Sequence, residues 1–141
     1  MGNDSVVLGH ARALLADGPG AAVVAGDMRR HGAILGSPDL RGLIDLSLPV
    51  CVILASVLHF ATAPEADAAV AAFTGAVAPG SYLICSAGTS TGTSPALITR
   101  LQAIYEGTTM VTGRPEAEIA DYFDGLGSGA TRADRRMGLA A

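Results

Sequence analysis

The chain has 141 residues, enough for one domain that buries about two thirds of its unfolded surface. Half of its residues are hydrophobic and 16% are charged, a balance that excludes disorder over most of its length. A net charge of −4, few aromatic residues and no tryptophan offer little to nucleic acid or to an anionic membrane, and neither is expected as a partner.

The opening stretch "DSVVLGHARALLADG" reads as an amphipathic helix over residues 4–16. Asp4 or Ser5 can cap it, and Val6, Val7, Leu8, Ala11, Leu14 and Leu15 recur at helical spacing. Gly18, Pro19 and Gly20 stop it. "AAVVAGD" reads as a short strand over 21–26 that runs into Asp27. A polar, turn-rich stretch follows, with a short helix over 38–44 capped by Ser37 ahead of Pro38. "VCVILAS", residues 50–56, is the near-continuous apolar run expected of a parallel strand covered on both faces.

Next comes a helix over 64–77, with Ala69, Val70, Phe73 and Val77 on its apolar side. Pro79 and Gly80 turn the chain into a third strand over 81–87. The loop "GTSTGTS" leads into a helix from Pro95 to Glu106. "RPEAEIADYFDGL" forms the last amphipathic helix, with Ile119, Tyr122 and Phe123 inward. Periodicity ends at Gly125, and 127–141 is expected to be a disordered tail.

Strands alternating with helices imply right-handed crossovers and an open α/β fold with a parallel sheet. Ligands of such sheets lie outside the carboxyl ends of the strands. The positions to weigh are therefore Asp27 and Met28, Ser56 to His59, and Ala87 to Ser94. No apolar run reaches the roughly 20 residues of a membrane helix, and no charged stub precedes an apolar segment as in a secretory signal. Cys51 and Cys85 each sit in an apolar run and read as buried thiols on neighbouring strands, a usage suited to a reducing cytoplasm.

All nine basic residues are arginine. The absence of lysine removes the phosphate-loop lysine, the Schiff-base lysine and lysine-activated serine chemistry together. Asp27 can accept hydrogen bonds from an adenine amino group or a ribose hydroxyl, or else cap the segment after it. His59 reads either as a general base or as a half-buried histidine in a turn. His10 and His31 share no metal-ligand spacing with it and read as surface residues. "GTSTGTS" offers hydroxyls and backbone N–H groups to an anion, yet it lacks the glycine spacing of a dinucleotide fingerprint and reads better as a plain loop. "ICSAG" falls short of a nucleophile elbow because Ile84 replaces the first glycine.

The stretches "NDSVVLGHARALLADGPGAAVVAGDMR", "ILGSPDLRGLIDLSLPVCVILASVLHF" and "VAPGSYLICSAG", in this order, resemble the S-adenosylmethionine-dependent methyltransferases of the actinobacterial type. The likeness runs from residue 3 to about 126. It implies a partial Rossmann-like, doubly wound α/β sheet of about three parallel strands (21–26, 50–56 and 81–87) with flanking helices. It implies S-adenosylmethionine as cofactor and a small-molecule methyl acceptor. Asn3 and Asp4 resemble the pair that follows the family's second strand. Asp27 resembles the acidic residue that contacts adenine, with Met28 packing near the ring. Ser56 and Val57 resemble the exit of the fourth strand, beside the methionine part of the cofactor. Pro79 and Gly80 resemble the turn into the fifth strand.

In that family a strand, a glycine-rich loop, a helix and a second strand come before the segment that opens here, and two antiparallel strands come after it. Gly2 stands where the ribose-binding acid would be. The resemblance thus makes residues 1–126 an incomplete methyltransferase core, truncated at both ends, with a sheet edge expected to invite self-association. The alternative expectation is a non-catalytic remnant, or a piece completed by a partner chain.

Overall fold

Two strands, β1 (Cys51–Ala55) and β2 (Tyr82–Ser86), pair in parallel with Cys51 opposite Tyr82, Ile53 opposite Ile84 and Ala55 opposite Ser86. The computed structural model describes residues 4–15, 20–105 and 112–127. Around the pair lie α1 (Ser5–Leu15), α2 (His31–Leu35), α3 (Pro38–Leu43), α4 (Ala63–Gly75), α5 (Pro95–Tyr105) and α6 (Glu116–Asp121), with 3-10 turns at Met28–Arg30 and Leu58–Phe60. The chain is thus α/β with a parallel sheet and flanking helices. No helix among the described residues is long and apolar enough to cross a membrane.

The crossover α4 starts sharply. The Glu65 carboxylate accepts from the Thr62 backbone N–H and from its hydroxyl, both at 2.8 Å, and Pro64 lies in the first turn, where a missing N–H costs nothing. Alanines then let the helix come close to α2 and to the Met28–Arg30 turn. Ala66, Ala69, Val70 and Phe73 are buried against Leu54 of β1, Leu58, Ala61, Ile34 of α2 and Tyr122. Gly26 fits the same packing, because a Cβ there would stand 2.5 Å from Cγ1 of Ile34.

Several expectations are corrected. The segment 21–26 is no strand. A single bridging residue, Ala25, falls within it, and no described strand lies beside it to form a ladder. The sheet of the described residues therefore has two strands. Among the described residues β1 is covered on one face only: Val52 and Leu54 point inward with Leu83 and Cys85, while Cys51, Ile53, Ala55, Tyr82, Ile84 and Ser86 are exposed. Cys51 is thus an exposed thiol, and only Cys85 is half-buried. Burial pushes the Cys85 thiol up to about 11, so it stays protonated.

On α1, Asp4 rather than Ser5 is the cap, accepting from the N–H groups of Val6 (2.8 Å) and Val7 (3.2 Å). Leu8 is buried, but Val6, Val7, Leu14 and Leu15 are exposed, so the apolar side of this helix is largely uncovered among the described residues. Ser37 begins α3 with its backbone carbonyl and makes no side-chain cap bond. The expected helix over 64–77 ends at Gly75. Glu106, Asn3 and the tail from 128 onward lie outside the described residues.

Neighbouring residues of β1 test this one-sided sheet. Leu54 is 3% exposed and Ile53 is 61% exposed. Leu54→Ala is expected to lower unfolding free energy by about 3 kcal/mol, and Ile53→Ala by no more than about 0.5 kcal/mol, both read from urea denaturation.

Candidate functional site

At the carboxyl end of β1, Ser56 has φ +51°, and it is the one non-glycine with positive φ among the described residues. A serine in the left-handed region stores about 1–3 kcal/mol of strain, and such residues cluster at ligand sites. Its conformation is held from β2. The Ser56 N–H donates to the carbonyl (2.9 Å) and the hydroxyl (3.0 Å) of Ser86, and the two hydroxyl oxygens stand 3.3 Å apart. Both strand exits are thereby fixed side by side. Val57 follows, half-buried against the core, and leads into the turn at Leu58–Phe60.

Asp27 caps its own following turn. Its Oδ1 accepts from the Arg29 backbone N–H (3.0 Å), and the Arg29 guanidinium grips both carboxylate oxygens through Nε (2.9 and 3.0 Å) and Nη2. This fork holds the Asp27 carboxyl below the usual carboxylate range. The capping reading of Asp27 is therefore met in full, and both oxygens already have donors. Met28 is half-buried and packs against the core. Asp4 is engaged at the start of α1. Among the described residues, no hydrogen bond joins the Asp27 pair to the Ser56 pair.

His59 is half-buried, its ring centroid 4.2 Å from that of Phe60, and its Nδ1 has no hydrogen-bond partner. Burial, then the nearby Arg114 cation, hold its pKa below the usual histidine value. It is a neutral imidazole near pH 7, and among the described residues no carboxylate orients it. His10 is exposed as expected, whereas His31 is half-buried.

The loop "GTSTGTS" forms no anion cradle. Thr89 donates to the Arg114 carbonyl (3.1 Å) and Thr93 to the Thr89 carbonyl (3.2 Å). The Thr91 hydroxyl accepts from the Glu116 N–H (2.9 Å). These hydroxyls bind the chain to itself.

Sequence reasoning missed Arg114. It is 2% exposed, and among the described residues no carboxylate pairs with it. Its Nη1 donates to the Leu58 carbonyl and its Nη2 to the Ala61 carbonyl, each at 2.7 Å, while Nε has no partner. An arginine ahead of a proline and a helix looks like an ordinary surface residue, and no signal in the sequence marks two main-chain carbonyls as its targets.

A family described as S-adenosyl methyltransferase matches residues 1–128. The chain belongs to the S-adenosyl methyltransferase family. A crystal structure of a methyltransferase candidate from Thermobifida fusca YX is 37% identical, covering 87% of this chain and 46% of that one, with a TM-score of 0.76. A DUF574-family protein from Streptomyces avermitilis MA-4680 is 31% identical, covering 88% of this chain and 48% of that one, with a TM-score of 0.78. The chain thus spans about half the length of these two solved structures. Comparison with curated proteins gives no match.

Two pH effects follow from the site. His59 has a folded pKa below its ordinary 6.5, so its contribution to stability is full above that pH and is lost as pH falls through the lower folded value. His59→Gln should flatten the urea midpoint against pH just below 6.5. Asp27 has a folded pKa below its ordinary 3.8, and the stability it confers above that pH drains as pH falls through the folded value. Acid titration of Asp27→Asn should lack this loss.

Proposed function

We propose that this chain carries the cofactor-binding part of an S-adenosylmethionine-dependent methyltransferase acting on a small-molecule acceptor. The observation that carries this reading is the strained Ser56, held at the carboxyl end of a parallel strand in a chain of this family. Ser56 and Val57 lie beside the methionine part of the cofactor, and Asp27 and Met28 beside the adenine. Asp4, at the start of α1, and Asn3 complete the set. Arg29 already donates to both oxygens of Asp27, so an adenine amino group bound there would share an acceptor oxygen with it.

The chemistry is an in-line displacement. Bound S-adenosylmethionine would supply the methyl group for transfer to the acceptor. The protein's task is to hold the two reactants at attack distance and keep water out. Two free thiols suit a reducing cytoplasm as its location.

The exposed Ile53, Tyr82 and Ile84 favour a second reading, in which the chain binds cofactor only when a partner chain covers this face.

Calorimetric titration of the chain with S-adenosylhomocysteine tests the proposal. Saturable binding at micromolar levels is expected, weakened about tenfold, or ~1.4 kcal/mol, by Asp27→Ala. A folded sample that gives no heat up to millimolar ligand would overturn it.

A further inference from the structure

Arg114 reaches both loops that leave the carboxyl ends of the sheet. Its guanidinium holds the loop after β1 through the carbonyls of Leu58 and Ala61. Its own carbonyl accepts from the loop after β2, through the Ser90 N–H at 2.9 Å and the Thr89 hydroxyl at 3.1 Å. Residues on either side add to the junction: the Thr112 N–H donates to the His59 carbonyl (2.8 Å), and the Glu116 N–H to the Thr91 hydroxyl. One residue therefore straps the two loops together beyond the Ser56–Ser86 contact.

The charge is what makes this more than a clasp. Burying a cation without a carboxylate is costly, and an apolar side chain would fill the same space at lower cost. A planar fork does what a lysine or an apolar side chain cannot: it fixes two carbonyls at once with set geometry. The loop so fixed connects to the site by the shortest route. The Phe60 N–H donates to the Val57 carbonyl (3.1 Å), and the residue before Val57 is the strained Ser56. A left-handed serine persists only where its surroundings over-determine it. Ser86 supplies that constraint from one side, and the Arg114 strap from the other.

We propose that Arg114 is a positioning residue of the cofactor site, which sets the Ser56–Val57 strand exit by strapping the loops after β1 and β2 together. This rests on the reading of the strand exits as the S-adenosylmethionine site. Arg114 touches neither cofactor nor acceptor in this role; it acts through the backbone of residues 56–61.

The experiment pairs amide hydrogen exchange with calorimetric titration of S-adenosylhomocysteine on the 141-residue chain. It compares wild type, Arg114→Lys, Arg114→Met and a core variant, Phe73→Leu, destabilised with every hydrogen-bonding group of the strap left in place. Both Arg114 variants should speed exchange about tenfold at 56–61 and 90–91 while the β1–β2 ladder changes little. Their affinity should fall about tenfold, with the loss smaller for lysine, whereas Phe73→Leu should stay within about twofold of wild type. If Arg114→Met does not fold, Thr91→Val loosens the same strap by one bond at an exposed position, and about a threefold loss of affinity is expected from it.

Unchanged exchange in the Arg114 variants would overturn the strap. Faster exchange with wild-type affinity would reduce Arg114 to a structural clasp and overturn the positioning role. A Phe73→Leu loss equal to that of the Arg114 variants would do the same. Wild type that shows the expected exchange pattern but no binding would overturn the cofactor reading itself, and the positioning role with it.

Discussion

A parallel pair of strands cannot be closed by a tight turn, so joining β1 to β2 demands a crossover, and α4 is that crossover. The rest of the molecule is arranged around this requirement. Leu54 shares one core with Ala66, Ala69, Val70 and Phe73 of α4, and the small residues of the helix let α2 and the Met28–Arg30 turn pack against it. Ile34 and Tyr122 arrive from chain segments far apart in sequence and close the sides of the same core. Because the crossover covers one face, it also decides which side chains of β1 and β2 are left in water.

The polar groups fall into two kinds. Asp27 with Arg29, and Thr62 with Glu65, are local arrangements, each contained within a few residues and each starting a turn of helix. They order the chain without reaching across the fold. Arg114 and the Ser56–Ser86 pair do reach across it, linking residues 25 to 56 positions apart at the carboxyl ends of the strands. Local groups can be exchanged for other caps with modest effect. The long-range ones determine how the strand exits sit relative to each other, where this class of sheet binds its ligands.

Much of the fold could be read from sequence because its signals are local. The cap at Asp4, the Pro–Gly turn at Pro79 and Gly80, and the helical spacing in 66–73 each depend on a few neighbouring residues. The strand over 21–26 failed because an apolar run says nothing about whether a partner strand stands beside it. Cys51 was misplaced for a related reason: alternation along β1 is masked when both faces carry apolar residues, so the run alone cannot say which face is covered. Asp27 was read as following a strand that the described sheet does not contain, and its grip by Arg29 depends on a side-chain conformation that composition does not reveal. Arg114 was not legible at all. Its partners are main-chain carbonyls, which every residue has, and only the fold brings Leu58 and Ala61 to it.

The left-handed Ser56 puts two demands on one position. Judged by backbone conformation alone, glycine would sit there without strain and asparagine with little, while valine, isoleucine and threonine would be worse than serine because their branched Cβ crowds the preceding carbonyl. A hydroxyl facing that of Ser86 is the one thing glycine cannot supply. A chain selected for stability alone would drift to glycine at this point, and one selected for the polar contact would keep serine and the strain with it.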